Sequence, residues 1–187
     1  MFGGVIVELF TERLIITEYE ASDYVDLYEM LSDKDTAYNL GFKPIYNVNV
    51  AKQITSLRVV NQEFYKILTK NLVFIGDINL FQDKTRMNTE AYQLGFCLKK
   101  EYRHQGYMIE ALKCFLSKVL DLDFNILSLN VMPSNVDSIK LIEKLGFKYQ
   151  GIRRNYKKMY DDKLVDAFEY SLTKDELKEI IKLWQKN

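Results

Sequence analysis

Apolar positions along the chain change period several times, and each change marks an element. Residues 13–17 ("RLIIT") form a short β-branched run that predicts a strand. Helical period follows. Ser22 or Asp23 can cap a helix whose apolar face is Val25, Tyr28 and Leu31 or their neighbours. Val50, Ile54, Leu57 and Val60 then recur at helical spacing behind Asn47 or Asn49. Residues 63–69 ("EFYKILT") and 72–82 ("LVFIGDINLFQ") return to strand character, joined by a hairpin turn at Lys70-Asn71. After a polar loop over residues 83–90, the stretch 91–98 ("AYQLGFCL") is another strand, with Gly95 inside it as the mark of a bulge or a close backbone approach. Met108, Leu112, Phe115 and Val119 lie at i, i+4, i+7 and i+11, one face of a helix. Residues 126–131 ("ILSLNV") are a strand that Pro133 ends. Ser134 or Asn135 caps a helix bearing Ile139, Ile142 and Leu145, with Gly146 at its C′ position. Two more strands flank the turn Asp161-Asp162-Lys163, and the capping-box spacing of Thr173 and Glu176 opens a last amphipathic helix through Trp184. This order predicts an α/β or α+β domain with a mixed sheet.

A length of 187 residues suits a single domain, and 48% apolar with 28% charged residues is the composition of a soluble globular protein. Lys plus Arg and Asp plus Glu number 26 each. The zero net charge removes the general electrostatic case for nucleic acid or an anionic membrane as partner. Cys97 and Cys114 sit in apolar runs and read as buried free thiols of a reducing compartment. With one histidine in the chain, a zinc site is not expected. The opening "MFGGVIVELFTER" has no basic region or cleavage signature of a signal peptide, and no apolar run reaches the roughly 18 residues of a membrane span. The expectation is a cytoplasmic protein.

The stretch "EYRHQGYMIE" (101–110) carries the candidate chemistry. A strand, a polar loop, Gly106 and an amphipathic helix follow in that order. Free N–H groups at a helix start favour an anion, glycine allows close approach, and Arg103 offers a fork suited to phosphate oxygens. On spacing alone a plain exposed loop explains the same residues, because one glycine is weak and neither a Walker loop nor a dinucleotide fingerprint is present.

Arg103, Gly106 and Met108 resemble the coenzyme-A pyrophosphate loop, R-x-x-G-x-(G/A), of the GNAT-fold N-acetyltransferases. Met108 departs from that pattern, but Gly106-Tyr107-Met108-Ile109-Glu110-Ala111 is similar to the "G-Y-M-x-E-A" of the ribosomal-protein N-acetyltransferase branch (RimJ/RimL-like). The resemblance extends in order through "FIGDINL", "YQLGFCLKKEYRHQGYM", "NVMPSNVDSIKLIEKLGFKYQGIRRN" and "DDKLVDAFEYSL", over about residues 9–172. It implies one GNAT domain over residues 1–187, with a mixed, mostly antiparallel central sheet flanked by helices and an added C-terminal helix. It further implies acetyl-CoA as cosubstrate and direct transfer of acetyl to an amine acceptor, either a protein N-terminus or a small molecule, by a monomer or homodimer.

Roles follow from the same resemblance. Backbone N–H groups of Gln105, Gly106, Tyr107 and Met108 would hold the pyrophosphate, with Arg103 and His104 at the phosphates. His104 is otherwise an exposed loop residue rather than a base. Phe96, Cys97 and Leu98 would line the pantetheine arm, an N–H near Cys97 or Leu98 polarising the thioester carbonyl. Asn135 and Ser138 match N-x-x-S. The asparagine would contact the pantetheine, and Ser138 would serve as acid or hydrogen-bond donor at the sulfur; Asn135 is also a simple helix cap. The tyrosine acid common in the family is Ile142 here, and the usual strand glutamate is Gln93. Glu90, Glu101 or a water chain are left as bases, Arg154 and Asp166 read as structural or pocket-lining, and Cys97 as packing. The rival readings are an acetyltransferase of polyamines, amino sugars or amino acids, and a non-catalytic acyl-CoA-binding module. The loops at 32–48, 83–90 and 155–163 would set the acceptor.

Overall fold

The computed structural model describes residues 8–186. Its elements are β1 (Glu8–Phe10), β2 (Leu14–Glu18), α1 (Tyr24–Ser32), α2 (Lys34–Asn39), α3 (Val48–Asn61), β3 (Phe64–Thr69), β4 (Phe74–Gln82), β5 (Ala91–Leu98), α4 (Tyr107–Val119), β6 (Ile126–Val131), α5 (Val136–Lys144), β7 (Lys148–Lys158), β8 (Leu164–Thr173) and α6 (Lys174–Trp184). Strand neighbours run β1-β2-β3-β4-β5-β6-β8-β7. β1 to β4 pair antiparallel, as do β6, β8 and β7, while β5 and β6 are parallel. A parallel pair needs a crossover, and α4 lies in the one between β5 and β6. The described residues form two compact units. The first runs to Asn79 and resumes over Phe96–Phe115; the second holds Leu80–Gly95 and the chain from Leu116 on.

In the first unit, strand alternation sends neighbouring side chains to opposite faces. Tyr65 packs on Phe115 of α4 at 5.2 Å between ring centroids, while Lys66 turns to the Asp23 carboxylate at 2.9 Å. On the Lys66 side, α1 closes a cluster of Tyr19, Leu27, Met30, Leu31, Phe74 and Cys97. The buried face of α1 is therefore Leu27, Met30 and Leu31, one residue round from Val25 and Tyr28, after a 3-10 turn over Ala21–Asp23 sets its start.

The expected apolar face of α3 is corrected. Ala51, Thr55 and Arg58 point inward and Ile54 packs half-buried against the core cluster, whereas Val50, Leu57 and Val60 are 40%, 60% and 77% exposed. The cause is electrostatic. Arg58 Nη1 donates to Asp77 and to the Tyr19 hydroxyl beneath the helix, and a guanidinium bound to a buried carboxylate fixes the helix rotation against its apolar stripe. A close backbone approach is found at Gly76, where a Cβ would sit 2.1 Å from the Cys97 carbonyl oxygen.

The second unit follows the periodicity closely. Asn135 caps α5, Ile142 and Leu145 are fully buried, and Gly146 takes φ +93° at the helix end. The Thr173–Glu176 capping box opens α6. Loop 83–90 is pinned by Asp83, which accepts from Thr85 Oγ1 at 2.6 Å and Ser128 Oγ at 2.8 Å.

Candidate functional site

The loop from β5 to α4 is built by backbone conformation. A short 3-10 turn over Lys100–Tyr102 precedes an extended Arg103, then His104 and Gly106 adopt φ +61° and +80°, and α4 begins at Tyr107. Left-handed residues of this kind turn successive N–H groups into a concave nest that suits an anion. The first turn of α4 adds N–H groups that no helical carbonyl can reach, at the positive end of the helix dipole. His104 is exposed, as expected. Met108 is buried on the apolar face of α4, so its bulk stays out of the loop.

Two arginines hold this loop, and only one was singled out in the sequence. Arg103 Nε donates to the Leu98 carbonyl at 3.2 Å and Nη2 to Thr36 Oγ1 at 2.6 Å. The fork expected at phosphates is thus turned onto the end of β5 and onto α2, as a loop anchor. Arg13, at the start of β2, donates from Nη1 to the Gln105 carbonyl at 3.0 Å and from Nε to Glu110 at 2.6 Å, with its guanidinium 4.4 Å from the Tyr107 ring centroid. Thr11 Oγ1 also donates to Glu110, at 2.5 Å. Burial alone would raise the Glu110 carboxyl, but the hydrogen bonds from Thr11 and Arg13 and the Arg13 charge outweigh it and hold the pKa below the ordinary range. A Cβ at Gly106 would lie 3.3 Å from Arg13 Nη2.

Strand alternation selects the N–H groups of β5. The Ala91 carbonyl accepts from Asp83, and the Lys99 N–H donates to Ile75, so odd-numbered residues direct their backbone groups to the β4 edge. The N–H of Cys97 shares that edge. Those of Phe96 and Leu98 face the opposite edge, where the parallel register with β6 covers Ala91 to Gln93.

Asn135 and Ser138 stand in the second unit, both half-buried; Asn135 Oδ1 accepts the Ser138 N–H at 3.3 Å. Gln93 Nε2 donates to the Tyr156 hydroxyl at 3.4 Å.

The profile of the Acetyltransferase (GNAT) domain matches residues 13–148. The chain belongs to this acetyltransferase family. An uncharacterized N-acetyltransferase p20 of Bacillus licheniformis is 29% identical over 179 residues, covering 90% of this chain and 97% of that protein. The ribosomal-protein-S5-alanine acetyltransferase of Vibrio fischeri shares the fold at TM-score 0.76 and 19% identity, over 91% of this chain and 98% of that one. The spermidine N-acetyltransferase of Vibrio cholerae, solved with CoA and spermine, does so at TM-score 0.77 and 11% identity, over 89% and 99%.

Cys97 is packed in the first unit's core, and burial drives its thiol far above the ordinary range, which keeps it protonated and unsuited to nucleophilic work. Cys114 is free but half-buried rather than buried, its Sγ 3.8 Å from the Phe10 carbonyl. Ile142 is fully buried on α5. Glu90, on a loop, and Glu101, in the 3-10 turn, are both exposed. Among the described residues no group of His, Cys, Asp and Glu could hold a metal, and no helix is long and apolar enough to cross a membrane.

Proposed function

We propose that this acetyltransferase is of the RimJ/RimL-like branch, that residues 1–187 act as one catalytic domain, and that it moves acetyl from acetyl-CoA to a primary amine by direct attack. The observation that carries the reading is the braced loop: a left-handed His104 and Gly106 at the start of α4, held by Arg13 and Arg103. Backbone N–H groups of Gln105, Gly106, Tyr107 and Met108 bind the pyrophosphate, with His104 beside them and Arg103 holding the loop in register. The N–H groups of Phe96 and Leu98 pair with the pantetheine arm and polarise the thioester carbonyl, where developing negative charge is stabilised. Asn135 orients the arm while capping α5, and the Ser138 hydroxyl donates to the sulfur as the thiolate leaves. A thiol's pKa of about 8.5 makes that departure tolerable near neutral pH. Acetyl-CoA supplies the activated thioester; the protein supplies orientation and electrostatics. Two free cysteines support a reducing, cytoplasmic setting.

The acceptor is a protein N-terminal amine or a small-molecule amine. Structural relatives with one fold carry ribosomal-protein and spermidine activities in their names, so the fold does not choose between them. Release of CoA thiol is measured with a panel of N-terminal peptides, polyamines and amino acids. Turnover with any amine is expected. Tight CoA binding without thiol release from any of them would overturn catalysis in favour of a binding module. Loss of turnover in Cys97→Ala with CoA affinity intact would overturn direct attack.

A further inference from the structure

β7 carries Lys148, Arg153, Arg154, Lys157 and Lys158, and no acidic residue occurs from Phe147 to Tyr160. It lies at the end of the strand order, beside β8. Its register breaks between Arg153↔Ala167 and Lys157↔Val165, so that Arg154, Asn155 and Tyr156 together oppose Asp166. Asn155 is left-handed at φ +49°, and its N–H donates to Asp166 Oδ1 at 2.8 Å. Such a bulge bends a strand and re-aims its side chains. Here it brings the Tyr156 hydroxyl to Gln93 Nε2 at 3.4 Å, with the Arg153 guanidinium 5.1 Å from the Tyr156 ring centroid.

The acids of this region are engaged. Glu169 meets Arg86 at 2.7 Å and Arg153 at 3.9 Å, Asp161 meets Lys163 at 2.8 Å, and Asp162 meets Lys158 at 2.7 Å. Arg154 is exposed and has no ion-pair partner among the described residues. Lys157 is half-buried, and burial pushes its ammonium below the ordinary lysine range.

We infer that the bulge of β7 recognises the acceptor: Tyr156 and Gln93 hydrogen-bond it, and Arg154 receives a carboxylate or phosphate that it carries. The inference rests on the acetyltransferase reading and names its substrate class, an amine with an anionic group nearby. A cationic strand attracts such a group through charge-assisted hydrogen bonds and repels a polyamine.

The test compares tripeptides that differ only at the second residue (Asp, phosphoserine, Asn or Lys), together with spermidine. CoA thiol release gives kcat and KM for each with wild type, Arg154→Gln, Tyr156→Phe and the control Lys148→Gln, whose partner is Glu176. Wild type is expected to favour an acidic peptide over the Asn peptide about tenfold, the worth of one charged hydrogen bond. Arg154→Gln should remove that ratio through the acceptor KM, and Lys148→Gln should keep it. Tyr156→Phe should raise acceptor KM throughout, with unfolding temperature unchanged. The Asp and phosphoserine arms tell carboxylate from phosphate. A preference for spermidine or the Lys peptide, or an undiminished ratio in Arg154→Gln, would overturn the inference. Calorimetry on CoA-loaded protein separates the two readings: acidic-peptide binding that Arg154→Gln abolishes, without any turnover, overturns acetyl transfer and keeps the bulge as the anionic-ligand site.

Discussion

Replacing Asp77 by Ala isolates the interaction that seats α3. The Arg58 and Asp77 side chains are 8% and 3% exposed. Arg58 Nη1 donates to the Asp77 carboxylate and to the Tyr19 hydroxyl at 2.7 Å, and the guanidinium lies 4.1 Å from the Phe64 ring centroid and 5.0 Å from that of Tyr19. Its Nε is buried with no hydrogen-bond partner, so the site has little polarity to spare. Removing the carboxylate leaves a buried cation uncompensated, which costs about 3–5 kcal/mol. With an unfolding entropy of about 2.1 cal/mol/K per residue, a chain of this length loses about 8–13 °C of melting temperature.

The paired variant Asp77→Ala/Arg58→Met removes both charges and keeps an apolar stem over Phe64. It should unfold closer to wild type than Asp77→Ala does, because no isolated charge remains. Urea and thermal unfolding of wild type, both single variants and the double variant close the cycle, with CoA calorimetry as a check on the folded state. Two results would refute the reasoning: a single-variant loss under about 1 kcal/mol, or losses that simply add. Either would mean that the Arg58–Asp77 pair does not seat α3.

Ser138→Ala should lower kcat at least about tenfold with little change in the KM for acetyl-CoA, since only the departing sulfur loses a donor; an unchanged rate removes Ser138 from the chemistry. Gly76→Ala should destabilise the fold by about 1–3 kcal/mol or more, because the new Cβ meets two backbone atoms, the Cys97 carbonyl oxygen at 2.1 Å and Leu98 Cα at 2.9 Å; wild-type thermal unfolding would show that the two strands do not approach so closely. Burial alone would raise the Asp83 carboxyl, but hydrogen bonds from Thr85 and Ser128 and the Arg86 charge hold it below the ordinary range. Its contribution is therefore complete above the unfolded pKa of about 3.9 and is lost as pH falls through the folded value. The stability gap between wild type and Asp83→Asn should be flat near neutrality and close in acid; a gap that widens on acidification would reverse the sign.

Period is a local property, and that is why so much of the secondary structure can be read from spacing. Met108 through Val119, the Asn135 cap and Gly146 each depend on residues a few positions apart. Brief elements such as β1 and α2 are too short to show a period. The loop at 103–108 is legible as a motif, yet what holds it is not. Arg13 and Glu110 are 97 positions apart, and nothing in either segment names the other. The same holds for α3, where Arg58 reaches a carboxylate on β4 and Val50, Leu57 and Val60 of the expected apolar face stay exposed. Charge is the common factor in these misses. A zero net total sets the solubility of the whole chain but says nothing about where the charges lie. Acids engaged at Asp83, Glu110 and Glu169 are each held by an arginine, while β7 collects five cations with no acid among them. Three of those cations meet acids of other segments, Lys148 at Glu176, Arg153 at Glu169 and Lys158 at Asp162, so the neutrality of the whole chain says little about the exposed Arg154, which is what gives an acceptor something to recognise.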